Sequence, residues 1–173
     1  MYLLEERSLK YLAVILINLL FFANVVQSKN PHEILEDTVY DVLKNFYTVL
    51  DVKNYDKEKL RKIVTDDFLV FEAARSMDID AFHSFLTQKD PNAEPLVHTS
   101  WQLSDHRLSL DEHSAHVSYK NRGTFQHGTT LRVTIDWMES AFLVRKDEDF
   151  KIKFINANLI SKDIQNSPAQ ETD

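Results

Sequence analysis

The sequence predicts an α+β fold in which three helices cover one face of a curved, mainly antiparallel sheet. Three observations predict it. The first third of the chain after residue 30 carries apolar residues at helical spacing in three separate stretches. Beyond residue 95 the period changes to 2 and stays there through four long runs. Each helical stretch has a single apolar stripe, so each must bury that stripe against a common surface.

The first helix begins at Asn30-Pro31-His32-Glu33, with Asn as cap, Pro at the first helical position and Glu at the third. Ile34, Leu35, Val39, Val42, Leu43, Phe46 and Leu50 then form its stripe. Asp56 caps a second helix that turns Leu60, Ile63 and Val64 inward, and Phe68 to Ala74 reads as a short strand. Asp78 caps a third helix over Ile79 to Gln88, with Phe82, Phe85 and Leu86 on its buried side. Lys89 to Pro95, with two prolines and an Asn among charges, is a loop.

The four strands follow. Thr99 to Leu110 alternates Trp101, Leu103 and Arg107 with polar residues, and Asp111 to Ser114 makes a turn. Ala115 to Phe125 carries Ala115, Val117, Tyr119 and Phe125 on one side, and His127-Gly128 turns again. In the next run Leu131, Val133, Ile135, Trp137, Glu139, Ala141 and Leu143 share a face. Six of these are apolar, which makes Glu139 the exception. After Lys146-Asp147-Glu148-Asp149 the last strand alternates Phe150, Ile152 and Phe154 with lysines, until Asn156 and Asn158 interrupt it. Ile164 to Asp173 is polar and without period, and is expected as a disordered tail, leaving the domain at residues 29–163.

Composition narrows the function. A chain of 173 residues holds one domain and a leader. Its net charge of −7 disfavours nucleic acid and anionic lipid as partners, and two glycines leave no room for a Gly-rich phosphate loop. Tyr11 to Val26 is an apolar run behind Arg7 and Lys10, and Val26-Gln27-Ser28 follows as a cleavage site. Residues 1–28 are therefore expected as a signal peptide and the protein as exported, periplasmic or secreted, with no membrane contact beyond the leader. Without cysteine there is no disulfide and no thiol nucleophile. His113 and His116 are the nearest histidine pair, no third ligand stands at zinc spacing, and no metal or cofactor is expected.

The order of elements, with Val64-Thr65-Asp66-Asp67-Phe68 after the second helix, Trp137-Met138-Glu139-Ser140-Ala141 on a late strand and the ending Asp149-Phe150-Lys151-Ile152, resembles the nuclear transport factor 2-like superfamily, in particular its SnoaL-like and ketosteroid-isomerase-like bacterial members. The resemblance covers roughly residues 33–162. It implies a cone-shaped α+β barrel with a pocket between helices and sheet, and a membership that spans isomerases, cyclases, dehydratases and pure binding or assembly domains. It further implies Glu72 as a general base, Glu139 as a second hydrogen-bonding acid and Tyr47 as the hydroxyl partner on the first helix. Glu stands where such relatives carry Asp, and no Pro follows the first acid, which argues against steroid isomerisation itself.

The residues themselves leave alternatives. A carboxyl among apolar neighbours has its pKa raised and can serve as base or donor, or it can pair with Arg75, Arg107 or Arg132 to close the core. Tyr119, Trp101, Trp137, Phe71 and Asn156 are candidates for lining a ligand pocket, or else for packing. Three functions follow: a domain binding a small apolar ligand or serving in assembly, a cofactor-free lyase or isomerase that takes a proton next to a carbonyl with Glu72, and a homodimeric accessory protein that pairs the outer sheet face through Met138, Phe142 and Val144.

Overall fold

The structure is a computed structural model that describes residues 30–91 and 93–166. The expected leader and the end of the chain after Asn166 lie outside these residues. The chain divides at Pro31, and the unit that follows carries all the elements below.

Three helices and six strands appear in the order α1 (Pro31–Leu50), α2 (Lys57–Ile63), β1 (Val64–Glu72), β2 (Arg75–Met77), α3 (Ile79–Thr87), β3 (Leu96–Leu110), β4 (Ser114–His127), β5 (Leu131–Lys146) and β6 (Asp149–Asn166). Two of the caps the sequence announces are formed as expected: Asp56 accepts from the amides of Glu58 and Lys59, and Asp78 from those of Asp80 and Ala81. The six strands form one mixed, mostly antiparallel sheet in the order β2-β1-β6-β5-β4-β3. β3 to β6 make an antiparallel meander, and β1 joins β6 in parallel. Helices on one side of a curved sheet give the cone-shaped α+β architecture. Val39, Leu43 and Phe46 from α1, Leu60 from α2 and Phe82 from α3 pack with Phe68, Val117, Ala141, Leu143 and Ile152 from the sheet.

Four local features depart from the sequence reading. β1 begins at Val64, as the direct continuation of α2, rather than at Phe68. It ends in a hairpin the sequence hid, because Ala73 and Ala74 make the turn with φ of 51° and 58° where Asn or Gly would be expected. Arg107 does not share the face of Trp101 and Leu103. The register slips between Ser104 and Arg107, with Asp105 at φ 54°, and this bulge hands the inner face to His106, Leu108 and Leu110. Finally, β6 runs on to Asn166, so Ile164 to Asn166 are paired with β5 and are not a tail.

Candidate functional site

Parity on β5 decides what is inside. Trp137, Glu139, Ala141 and Leu143 are buried, while Met138 between them is 46% exposed. Glu139 is only 5% exposed, and an isolated carboxylate there would be prohibitively costly. It is not isolated. Tyr47, on the buried face of α1, donates its hydroxyl to Glu139 Oε2, and Asn121 Nδ2 donates to Oε1 at 3.1 Å. The Tyr119 and Tyr47 hydroxyls lie 2.9 Å apart. Because Tyr47 spends its proton on Glu139, Tyr119 is the donor of that pair. No arginine takes part.

The sheet register brings this cluster together. Tyr119 pairs with Glu139 across the β4–β5 ladder, and Asn121 with Trp137. Asn121 and Tyr119 are each 1% exposed, so the cluster is sealed from water on the sheet side. Burial pushes the Glu139 pKa above the ordinary carboxyl value, against the hydrogen bonds from Tyr47 and Asn121 that stabilise the anion. Burial, and then the Glu139 charge, drive the Tyr47 and Tyr119 hydroxyls well above the ordinary tyrosine value, so both remain neutral donors.

Glu72 sits on the inner face of β1, in phase with Phe68 and Val70. Phe71 pairs with Asn156 of β6, and one step further Glu72 comes level with Ala157, which is the β6 partner of Glu139. Two strand spacings, about 10 Å of backbone, separate the two acids across this small residue. Burial, and then the Glu139 charge, raise the Glu72 pKa from 4.5 to about 7. The two carboxyls therefore interact.

A cleft of about 570 Å³ opens between α1 and β3. Tyr47, Trp101 and Leu103 contribute to its lining, with Lys44 and His106 also present and Asp51, Asn54 and Thr99 from the segment after α1 and from β3. Thr99 ties the end of α1 to β3 by donating to Asp51 Oδ2 at 3.1 Å and accepting from the Val52 amide at 2.9 Å. The Tyr47 and Trp101 rings lie 5.2 Å apart, and His106 stacks on Tyr119 at 6.2 Å. Burial, and then the charge of Lys44, lower the His106 pKa, favouring the neutral imidazole. Tyr47 is thus shared: its ring borders the cleft while its hydroxyl is held by Glu139.

The remaining residues singled out in the sequence divide between the two faces. Trp137 packs on the inner face with Trp101 and Phe125, at ring distances of 6.2 Å from each. Phe71 is on the outer face, 42% exposed, edge-on to Phe154 at 4.9 Å. Asn156, between Phe71 and Ser140 in the ladder, is also on that face. Neither Glu72 nor Glu139 lines the cleft itself. His106 was missed in the sequence because its inward aim depends on the bulge at Asp105, which no glycine or asparagine announces. Among the described residues no group of three or more His, Asp or Glu is placed to hold a metal ion.

No protein-family model matches the chain, and no curated protein matches it in sequence. Solved structures do match its shape. A hexachlorocyclohexane dehydrochlorinase from Novosphingobium barchaimii superimposes with a TM-score of 0.63 at 10% identity, covering 80% of this chain and 93% of that one. The calcium/calmodulin-dependent kinase II hub homology domain of Chlamydomonas reinhardtii gives 0.61 at 16% identity, over 73% of this chain and 99% of that one. A nuclear transport factor 2-like protein from Cytophaga hutchinsonii gives 0.58 at 14% identity, over 76% and 100%. At such identities the likeness is one of fold, and the three proteins differ in what their names say they do.

Proposed function

On the nuclear transport factor 2-like fold that this chain adopts, we propose that the protein is a binding domain for a small, largely apolar molecule held in the cleft between α1 and β3. The observation that carries this reading is the double duty of Tyr47. A cleft of this size suits a small ligand, and its border residue is fixed from behind by Glu139 and Tyr119. Such support holds the wall rigid, so little ordering is left for the ligand to impose.

The test uses Leu103, which lines the cleft and lies outside the acid cluster. A panel of small aromatic and alicyclic compounds screened by ligand-detected NMR should give binders to the wild-type protein. Leu103→Asp should abolish that binding while the circular dichroism spectrum stays unchanged. Binding that survives Leu103→Asp would refute the cleft as the site.

A second reading, a cofactor-free lyase or isomerase, is favoured by one observation: Glu72 has its pKa raised to about 7, where a carboxyl can take a proton near neutral pH. Glu72 would be the base, with Glu139 and Tyr47 stabilising the developing charge. The binding reading ranks first because Glu72 does not line the cleft.

Two further properties belong to the proposal. Export rests on the apolar run Tyr11 to Val26 followed by Val26-Gln27-Ser28; protein recovered from a periplasmic or secreted fraction should begin at Lys29, and an intact Met1 there would contradict it. Homodimerisation through the outer sheet face is supported by Leu69, Phe71 and Met138, all exposed there, and by Phe142 paired with Phe154 between them.

A further inference from the structure

The cleft between α1 and β3 has two electrostatically different ends. α1 runs antiparallel to β3, as three contacts show. Tyr40 meets His106 at 5.3 Å between ring centroids, Tyr47 meets Trp101 at 5.2 Å, and the Val52 amide meets the Thr99 hydroxyl at 2.9 Å. Lys44 and His106 therefore stand at one end of the cleft and Asp51 and Thr99 at the other, with Tyr47, Trp101 and Leu103 between. Seven residues of helix, about 10 Å, separate Lys44 from Asp51.

The acidic end is already engaged. Asp51 accepts from the Lys53 amide at 2.9 Å and from the Thr99 hydroxyl at 3.1 Å, one bond to each carboxylate oxygen. The basic end is open. His106 is exposed, stacked on Tyr119 and met edge-on by Tyr40. Lys44 pairs with Asp41 at 3.2 Å, but both side chains are mostly exposed, and such a contact is weak enough for a ligand to displace. Lys44 lies one helical turn beyond Tyr40, the residue that touches His106, and its charge acts on the imidazole. Its flexible four-carbon stem brings the ammonium within reach of a group that also meets the ring.

We propose that the ligand of this cleft is an amphipathic carboxylate, its acid group held by Lys44 and His106 and its apolar body, no longer than about 10 Å, lying on Trp101 and Leu103. The inference rests on the binding reading above and specifies its chemistry and direction. A carboxylate accepts from both side chains at once, through separate oxygens. An ammonium would be repelled by Lys44 and would find both Asp51 oxygens bonded. Asp51 turns the acid group away from the far end, so the ligand enters one way round. The net charge of −7 opposes an anion at long range, where salt screens it beyond about 8 Å.

His106 gives this binding a pH signature. In the free protein burial, and then the charge of Lys44, lower its pKa below 6.5, with Asp105 opposing. The other charged or titratable groups around it are Tyr40 with Glu36 beside it on α1, Tyr119 on β4, and Arg107 on β3; Lys120 is paired with Asp105. A bound carboxylate favours the imidazolium, so the complex takes up a proton and affinity rises as pH falls.

3-Phenylpropanoate, 3-phenylpropanamide and 3-phenylpropylamine share one body and differ in the group under test. Each is titrated into the full chain by ligand-detected NMR at pH 5.5 and pH 8, where the acid is ionised throughout. The acid should bind about tenfold more tightly than the amide at pH 5.5 and about threefold more tightly at pH 8, with the amine weakest. Lys44→Gln should abolish the preference at pH 8, and His106→Gln should remove its pH dependence. Both positions are exposed, so both variants should fold. Equal affinity of acid and amide for the wild type would overturn the carboxylate inference and leave the cleft reading standing. A preference for the acid that survives both substitutions would also overturn it, because the acid group would then lie elsewhere. Failure of all three compounds to bind would overturn both readings.

Discussion

The two faces of β5 are built from alternate residues of one strand and obey opposite rules. Inward, Trp137, Glu139, Ala141 and Leu143 are buried, and the single polar group is held by Tyr47 and Asn121. Outward, Met138, Ser140, Phe142 and Val144 are wholly or partly exposed, and three of the four are apolar. The inner face hides a polar group and satisfies it internally. The outer face displays apolar groups that nothing in the chain's described residues covers. The contrast teaches that polarity alone does not mark the functional surface: the informative residues are those that contradict the burial of their own face.

Adjacent substitutions sharpen the contrast most. Glu139→Ala removes the acceptor for Tyr47 and Asn121 and leaves a cavity, and should cost about 3 kcal/mol in a urea melt. Met138→Ala, one residue away on the other face, should change stability by less than about 0.5 kcal/mol. Glu139→Gln lies between them. Its oxygen still accepts from Tyr47, and its amide can donate to Asn121 Oδ1 once the Asn121 amide turns over, so the loss should stay under about 1 kcal/mol. Equal costs at positions 138 and 139 would break the comparison.

The inner face should also carry a pH dependence opposite in sign to that of outer-face acids such as Asp136, whose pKa Arg122 lowers. Glu72 has its pKa raised from 4.5 to about 7 in the folded protein. The folded state therefore holds this proton more tightly than the unfolded state, and the associated stability is complete below pH 4.5. It is lost as pH rises from 4.5 through about 7. Allowing for the residue's partial exposure, the loss is about 2 kcal/mol. Glu72→Gln should flatten this part of the stability profile and leave the variant more stable than wild type at pH 8. An unchanged slope would place Glu72 in water.

On the outer face the expected effect is on assembly. Sedimentation should give a dimer at micromolar concentration, and Phe142→Asp should give a monomer whose unfolding midpoint is close to that of the wild type measured at high dilution. A wild-type monomer at that concentration would remove the outer face from the account.

The strand alternation, the helix caps and the burial of Glu139's face were legible because each depends on residues close in sequence. The resemblance put Tyr47 in one site with Glu139, but the residues alone did not show that contact, and Asn121 was not legible at all. Tyr47 is 92 residues away and Asn121 is 18 away, and only the β4–β5 register and the docking of α1 bring them to it. Arginine was one alternative partner by charge, but phenol and amide groups supply donors without adding a second buried ion. The β1–β2 turn and the Asp105 bulge escaped for a different reason. Both use residues that do not advertise positive φ, and the bulge alone decides that His106, and not Arg107, faces inward. A single substitution tests the turn: Ala74→Gly relieves a left-handed alanine and should stabilise the fold by about 1 kcal/mol. A destabilisation would mean the turn is not the one described.

The central claim is that Glu139 is a sealed, internally hydrogen-bonded acid behind the cleft. It is tested most directly by following the ¹³C shift of its side-chain carboxyl with pH, the signal being assigned by its loss in Glu139→Gln. The midpoint should lie above the ordinary carboxyl value of 4.5, because burial outweighs the hydrogen bonds from Tyr47 and Asn121. A midpoint at or below 4.5 would show a carboxylate open to water or paired with a cation, and would contradict the account.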